Sequence, residues 1–197
     1  MRDEERRKLE DGQGKGVSIG ITDDGSAWGG IISIPWEKTS HAFNMKTPKV
    51  FMAPEDLNDR ALMNNLKSAH VLGCYVFTPL SDYSFIAELP EVRDINIRSG
   101  NQLSDLSFLS GHRAWNMLHL ELARLKDLEP IYQSSLLERR MPGFCLSFAG
   151  CEVEDMSALY GVEPISELII IGEDDNKERI RWRKVPALTH RYYTIQK

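Results

Sequence analysis

The chain states one pattern twice: LGCYVFTPLSDYSFI over 72–86 and INIRSGNQLSDLSFL over 95–109, offset by 23 residues. A fixed period of 20–29 residues, with an aliphatic pair spaced by two and then an L-x-D-L rhythm, constrains the fold more than any other feature. It calls for one strand and one return segment per unit, with the units stacked side by side. A single unit cannot bury its apolar face, whereas stacked neighbours can.

The register extends in both directions. The same grammar recurs as Val50-x-Met52 with Leu57-x-Asp59, as Leu118-x-Leu120 with Leu125-x-Asp127, and as Leu146-x-Phe148 with Val153-x-Asp155. A degenerate copy begins at Leu168-x-Ile170. The first aliphatic residues, Val50, Leu72, Ile95, Leu118, Leu146 and Leu168, are spaced by 22, 23, 23, 28 and 22. Alternate residues of a strand face opposite ways, so Leu118 and Leu120 should face the core while Met117, His119 and Glu121 face outward. An aspartate recurs at Asp59, Asp82, Asp105, Asp127 and Asp155, where it should cap each return segment by accepting backbone N–H groups. The segment 56–66 has helical apolar spacing and should form two or three turns on the return side.

Over roughly 47–175 the pattern resembles the leucine-rich repeat family, closest to its 22-residue, internalin-like and phosphatase-regulator-like subclass. Leu146-Ser-Phe-Ala-Gly-Cys151-Glu-Val153 fits best, and the resemblance implies that Cys151 bonds the loop backbone where the family places Asn or Cys. Ala123 and Glu55 stand at that position in other units, so a continuous ladder of such bonds is not implied. The expected fold class is α/β: a leucine-rich repeat solenoid with a parallel concave β-sheet of five to six strands in chain order, and hairpin-like β caps at both ends.

The flanks complete this organisation. Residues 1–15 carry five acidic and five basic side chains and little apolar content, and read as a polar tail or exposed helix. Residues 16–46 read as an N-terminal cap, with Val17–Ile21 and 30–34 as the arms of a hairpin and Trp28 and Trp36 over the first unit. The repeats occupy 47–172. Residues 173–197 read as a C-terminal β cap built from 179–185 and 191–195. The long interval between Leu118 and Leu146 holds an insertion over 132–142, read as a longer return helix.

Several functions are disfavoured. A net charge of −5 lacks the cationic surplus that neutralises phosphates, so no nucleic-acid partner is expected. No apolar run reaches the roughly 18 residues of a membrane span, and the first residues lack a secretory apolar core. The chain is therefore expected to be cytoplasmic, although the same sequence suits a secreted protein whose signal has been removed. Cys74, Cys145 and Cys151 form no disulfide framework; Cys74 should be buried and Cys145 should be the most exposed thiol. His41, His70, His112, His119 and His190 show no metal-ligand spacing, and neither metal nor cofactor is expected.

Function should then reside on the outward strand positions. These are Lys49, Phe51 and Ala53; Val71, Gly73 and Tyr75; Asp94, Asn96 and Arg98; Met117, His119 and Glu121; Cys145, Ser147 and Ala149; Glu167, Ile169 and Ile171. The candidate binding residues are Phe51, Tyr75, Asp94, Asn96, Arg98, Met117, His119 and Glu121, a polar centre with aromatic and apolar margins. Such a surface suits a protein or peptide ligand. Only Asp94, His119 and Glu121 could serve acid–base chemistry, and with no accompanying motif the expectation is a non-enzymatic binding protein. The alternative is a structural, scaffolding or regulatory subunit, of the immunity-protein or phosphatase-regulator type, that binds through the convex side or the 132–142 insertion. His119 beside Glu121 would add a pH dependence between about pH 5 and 8.

Overall fold

A computed structural model describes residues 1–11, 16–26, 47–110, 117–136, 144–161, 165–171 and 190–194. The chain is α/β. In order, the elements are α1 (Asp3–Asp11), β1 (Val17–Ile21), β2 (Lys49–Met52), α2 (Arg60–Ser68), β3 (Val71–Val76), β4 (Asp94–Arg98), β5 (Met117–Glu121), β6 (Arg124–Asp127), α3 (Glu129–Leu136), β7 (Phe144–Ala149), β8 (Glu152–Asp155), β9 (Ile165–Ile171) and β10 (His190–Thr194). Among the described residues the 3₁₀ turns Pro54–Asn58, Ser84–Glu88, Ser107–Leu109 and Ser157–Gly161 supplement the helices.

Eight strands form one sheet in the order β10-β9-β7-β5-β4-β3-β1-β2. Every adjacent pair is parallel. The six strands expected of the repeats form, and from β3 onward they follow chain order, with β6 and β8 pairing separately at the side. At the other end the order departs from expectation, because β1 stands between β2 and β3. All five of its residues are buried. It is thus an interior strand rather than the arm of a capping hairpin; residues 30–34, the other expected arm, lie outside the described residues, as do Trp28 and Trp36. At the far end β9 is flanked by β7 and β10, both parallel to it, and 179–185 lies outside the described residues.

Alternation builds the core. Ile19, Ile21, Val50, Met52, Cys74, Val76, Ile95, Ile97, Leu118, Leu120, Leu146 and Phe148 share one face and belong to one buried cluster. That cluster also takes in Leu62, Met63 and Leu66 of α2, whose spacing sets them along one side of a helix. The Asp59 carboxylate starts α2 by accepting the N–H groups of Ala61 at 2.9 Å and Leu62 at 3.1 Å. His70, at φ 52°, ends the segment in a left-handed turn before β3.

The recurrent aspartates all do this work. Asp82, Asp105, Asp127 and Asp155 accept the N–H two residues ahead at 2.7–3.0 Å, from Ser84, Ser107, Glu129 and Ser157. Among the described residues the first and the long fourth return segments continue as α-helix, and the others form 3₁₀ turns. Cys151 also behaves as expected, its Sγ accepting from the Ala123 N–H at 3.5 Å and facing the Leu120 carbonyl at 3.3 Å.

Of the two expectations for the first residues, 3–11 take the helical one, with Glu5 and Leu9 buried. As α1 they cover the open edge of β2: the buried Glu5 carboxylate accepts the Phe51 N–H at 2.7 Å, and Leu9 is buried beside it. The Met1 ammonium pairs with Asp56. An edge strand left bare invites pairing with another chain, and a helix laid along it is one way proteins block that edge.

Candidate functional site

Pairing register sets the sheet's second face in rows. One row runs Phe51, Gly20, Tyr75, Asn96, His119, Ser147, Ile169, Tyr192 across all eight strands. The row beside it holds Asp94, Met117 and Cys145, and on the other side Arg98 lies opposite Glu121. All eight candidate residues therefore fall on one face, as alternation requires.

That face is not open at its centre. Tyr75 is 5% exposed, Asn96 and Met117 4%, and His119 1%. Cys145 and Ser147 are sealed equally, which corrects the expectation of an exposed thiol at Cys145. Strand alternation decides which face a side chain takes, whereas exposure depends on what covers that face, and parallel sheets are commonly covered on both. Phe51 and Asp94 are half-buried. Accessibility returns at the strand ends, where Arg98 pairs with Glu121 at 3.3 Å.

The aromatic end of the row is set by two glycines. A Cβ added to Gly20 would meet the Phe51 ring at 2.8 Å, and one added to Gly73 would meet the Tyr75 ring at 2.8 Å and Ser18 Oγ at 2.9 Å. Tyr75 also stacks beside Phe77, with ring centroids 6.4 Å apart. Burial pushes the Tyr75 phenol well above its ordinary range, the Asp94 carboxylate adding to the effect.

In the middle of the row His119 Nδ1 and Ser147 Oγ share a hydrogen bond at 2.9 Å. Burial pushes the His119 imidazole down to about 4, because a charged ring loses its hydration there. The ring is neutral near pH 7, and the pH 5–8 response expected from Glu121 is replaced by this burial; Glu121 pairs with Arg98 instead. Neighbouring Asn96 Nδ2 is buried and has no hydrogen-bond partner among the described residues. Asp94, His119 and Glu121 occupy three different rows and do not converge on one point. Among the described residues no group of His, Cys, Asp and Glu is arranged to hold a metal, and no helix is long and apolar enough to cross a membrane.

The return side carries a groove of about 770 Å³ that sequence reasoning did not single out. One wall is 54–67, from the first 3₁₀ turn into α2, and the other is 79–88. Its origin is the position of β1: with a strand between them, β2 and β3 stand two spacings apart, about 9.6 Å, and the segments that follow them separate. Its surface is mainly polar: Glu55, Arg60 and Asp82 are exposed around it and Leu57 is half-buried, while Met63, Leu80 and Phe85 reach its floor as core side chains. Lys67 and Glu88 join the two walls by an ion pair at 2.9 Å.

Comparisons with protein-family models, curated proteins and solved structures found no match to this chain.

Proposed function

We propose that the chain is a leucine-rich repeat solenoid that acts without catalysis, by binding a protein or peptide partner through its return side. The repeated strand register, the five aspartate turns and the Cys151 loop bond support the repeat reading. The observation that carries the binding reading is the groove between 54–67 and 79–88, a concavity of about 770 Å³ rimmed by the exposed Glu55, Arg60 and Asp82, with the half-buried Leu57 among its lining residues. The sheet face, the first choice from sequence, offers only its end: Tyr75, Asn96, Met117 and His119 are sealed.

A second reading keeps the contact at the exposed Arg98–Glu121 end of the sheet face. A photo-crosslinking amino acid placed at Asn64, on the exposed side of α2, or at Arg98 separates the two. Adducts with one cellular protein from position 64 support the groove. Adducts from position 98 alone move the contact to the strand ends, and none from either position rejects both.

A further inference from the structure

We propose that α1 is an autoinhibitory guard over the outer edge of β2, and that the occupant it excludes is the same edge of a second copy of this chain, paired antiparallel about Phe51.

Hydrogen bonding identifies the guarded groups. The Ser18 and Thr22 N–H groups donate to the carbonyls of Pro48 and Met52, so the even-numbered positions of this strand turn their backbone toward β1. The N–H and C=O of one strand residue point to the same side and those of its neighbours to the other, which turns the backbone of Phe51 and Ala53 outward. Both outward N–H groups end on carboxylates, Phe51 on Glu5 Oε2 at 2.7 Å and Ala53 on Asp56 Oδ2 at 3.0 Å. A carboxylate accepts but donates nothing, so it occupies the edge without extending the sheet.

The guard is built to come away. α1 has nine residues, of which Glu5 and Leu9 are buried and the others are charged. It is shorter than the roughly 12–15 residues that an isolated helix needs to persist in water. Undocking and melting of α1 are therefore one event, and that event uncovers Phe51. Glu5 Oε1 accepts from Lys8 Nζ one turn on at 2.8 Å, so melting also strips the buried carboxylate of its neutralising partner.

What fits the uncovered edge is set by the strand itself. Antiparallel pairing of two copies centred on Phe51 exchanges both of that residue's backbone hydrogen bonds. It sets Val50 opposite Met52 on the core face, and it brings the two half-buried Phe51 rings together on the other. Lys49, the one charged residue of β2, then faces Ala53 instead of its own copy. A parallel pair in register would oppose the two lysines, which is destabilising.

The test uses the full chain and sedimentation velocity at increasing protein concentration, with circular dichroism as the control for folding. Glu5→Ala/Leu9→Ala removes both anchors, and Arg7→Pro melts α1 from an exposed position without touching β2. The expected result is a monomeric wild type, self-association about ten-fold tighter or more in both released variants, and wild-type behaviour in Glu5→Gln, whose amide oxygen still accepts the Phe51 N–H. Strand direction is read by oxidation in the released background: Lys49→Cys mixed with Ala53→Cys should cross-link, and Lys49→Cys alone should not. A released variant that folds and stays as monomeric as the wild type overturns the proposal, as do dimers that cross-link through Lys49→Cys alone or through neither pairing. Should one released variant fail to fold, the other decides; loss of the fold in both makes α1 part of the core and removes the guard.

Discussion

His119 gives the sharpest stability test in the molecule. It is 1% exposed and its imidazole is held at about 4, against about 6.5 in an unfolded chain. Between those values the unfolded state binds a proton that the folded state refuses, so this residue's contribution is complete above about pH 6.5 and is lost as the pH falls toward 4. The slope reaches about 1.4 kcal/mol per pH unit, and integration from pH 7 to pH 5 gives a loss of about 2 kcal/mol. The comparison protein is His119→Asn, whose amide can still reach Ser147 Oγ but does not titrate. Urea unfolding of both proteins at pH 7 and pH 5 should show the wild type losing about 2 kcal/mol more than the variant. A ring-proton NMR titration supplies the second readout. Parallel pH slopes, or a folded-state titration of His119 near 6.5, would refute the burial argument.

Three further outcomes follow from the geometry. Asp59→Ala removes the acceptor for two N–H groups and should cost about 1 kcal/mol, a fall of roughly 2–4 °C in Tm for a chain of this size, while Asp59→Asn should recover most of it; equal midpoints for all three proteins would deny the capping role. Gly73→Ala places a methyl group against the buried Tyr75 ring and Ser18, and chemical denaturation should show a loss of about 1–3 kcal/mol, with no loss if the ring simply moves aside. Cys74, Cys145 and Cys151 are all buried, and burial pushes the Cys74 thiol up to about 12 and the Cys151 thiol to about 11; a colorimetric disulfide reagent at pH 8 should find no reactive thiol in the native protein and three after denaturation.

Period and alternation made much of the fold legible, since Val50, Ile95, Leu118 and Leu146 each lie in a strand and each take the core face. The aspartates were legible for a related reason: a short carboxylate can reach the N–H two residues ahead wherever the local turn repeats. The place of β1 was not, because parallel pairing between distant segments leaves no local mark. Its two-sided burial does leave a faint one, in the small uncharged Ser18 and Gly20 opposite Val17, Ile19 and Ile21. Gly73, Cys145 and Ser147 carry the same sign on the second face, and they spoke for a covered surface where the nearby charges suggested an open one. Glu5 was illegible altogether, because a carboxylate that satisfies a strand edge is spelled no differently from one in water. The groove followed β1 out of view, since it exists only because two consecutive units are set apart.

The interposed strand also governs the order in which the sheet can assemble. In a simple repeat array each strand docks on the one made just before it, so growth proceeds from either end by nearest-neighbour steps. Here Ser18 meets Lys49 across 31 residues of chain and Ile19 meets Cys74 across 55. A nascent chain emerging from the ribosome carries β1 with both edges bare until β2 and β3 have followed it. Closing two such loops is entropically slow compared with adding the next local unit. Nucleation should thus fall on β3 to β5, with the first strand synthesised among the late arrivals, and the first three strands locking in as one cooperative block.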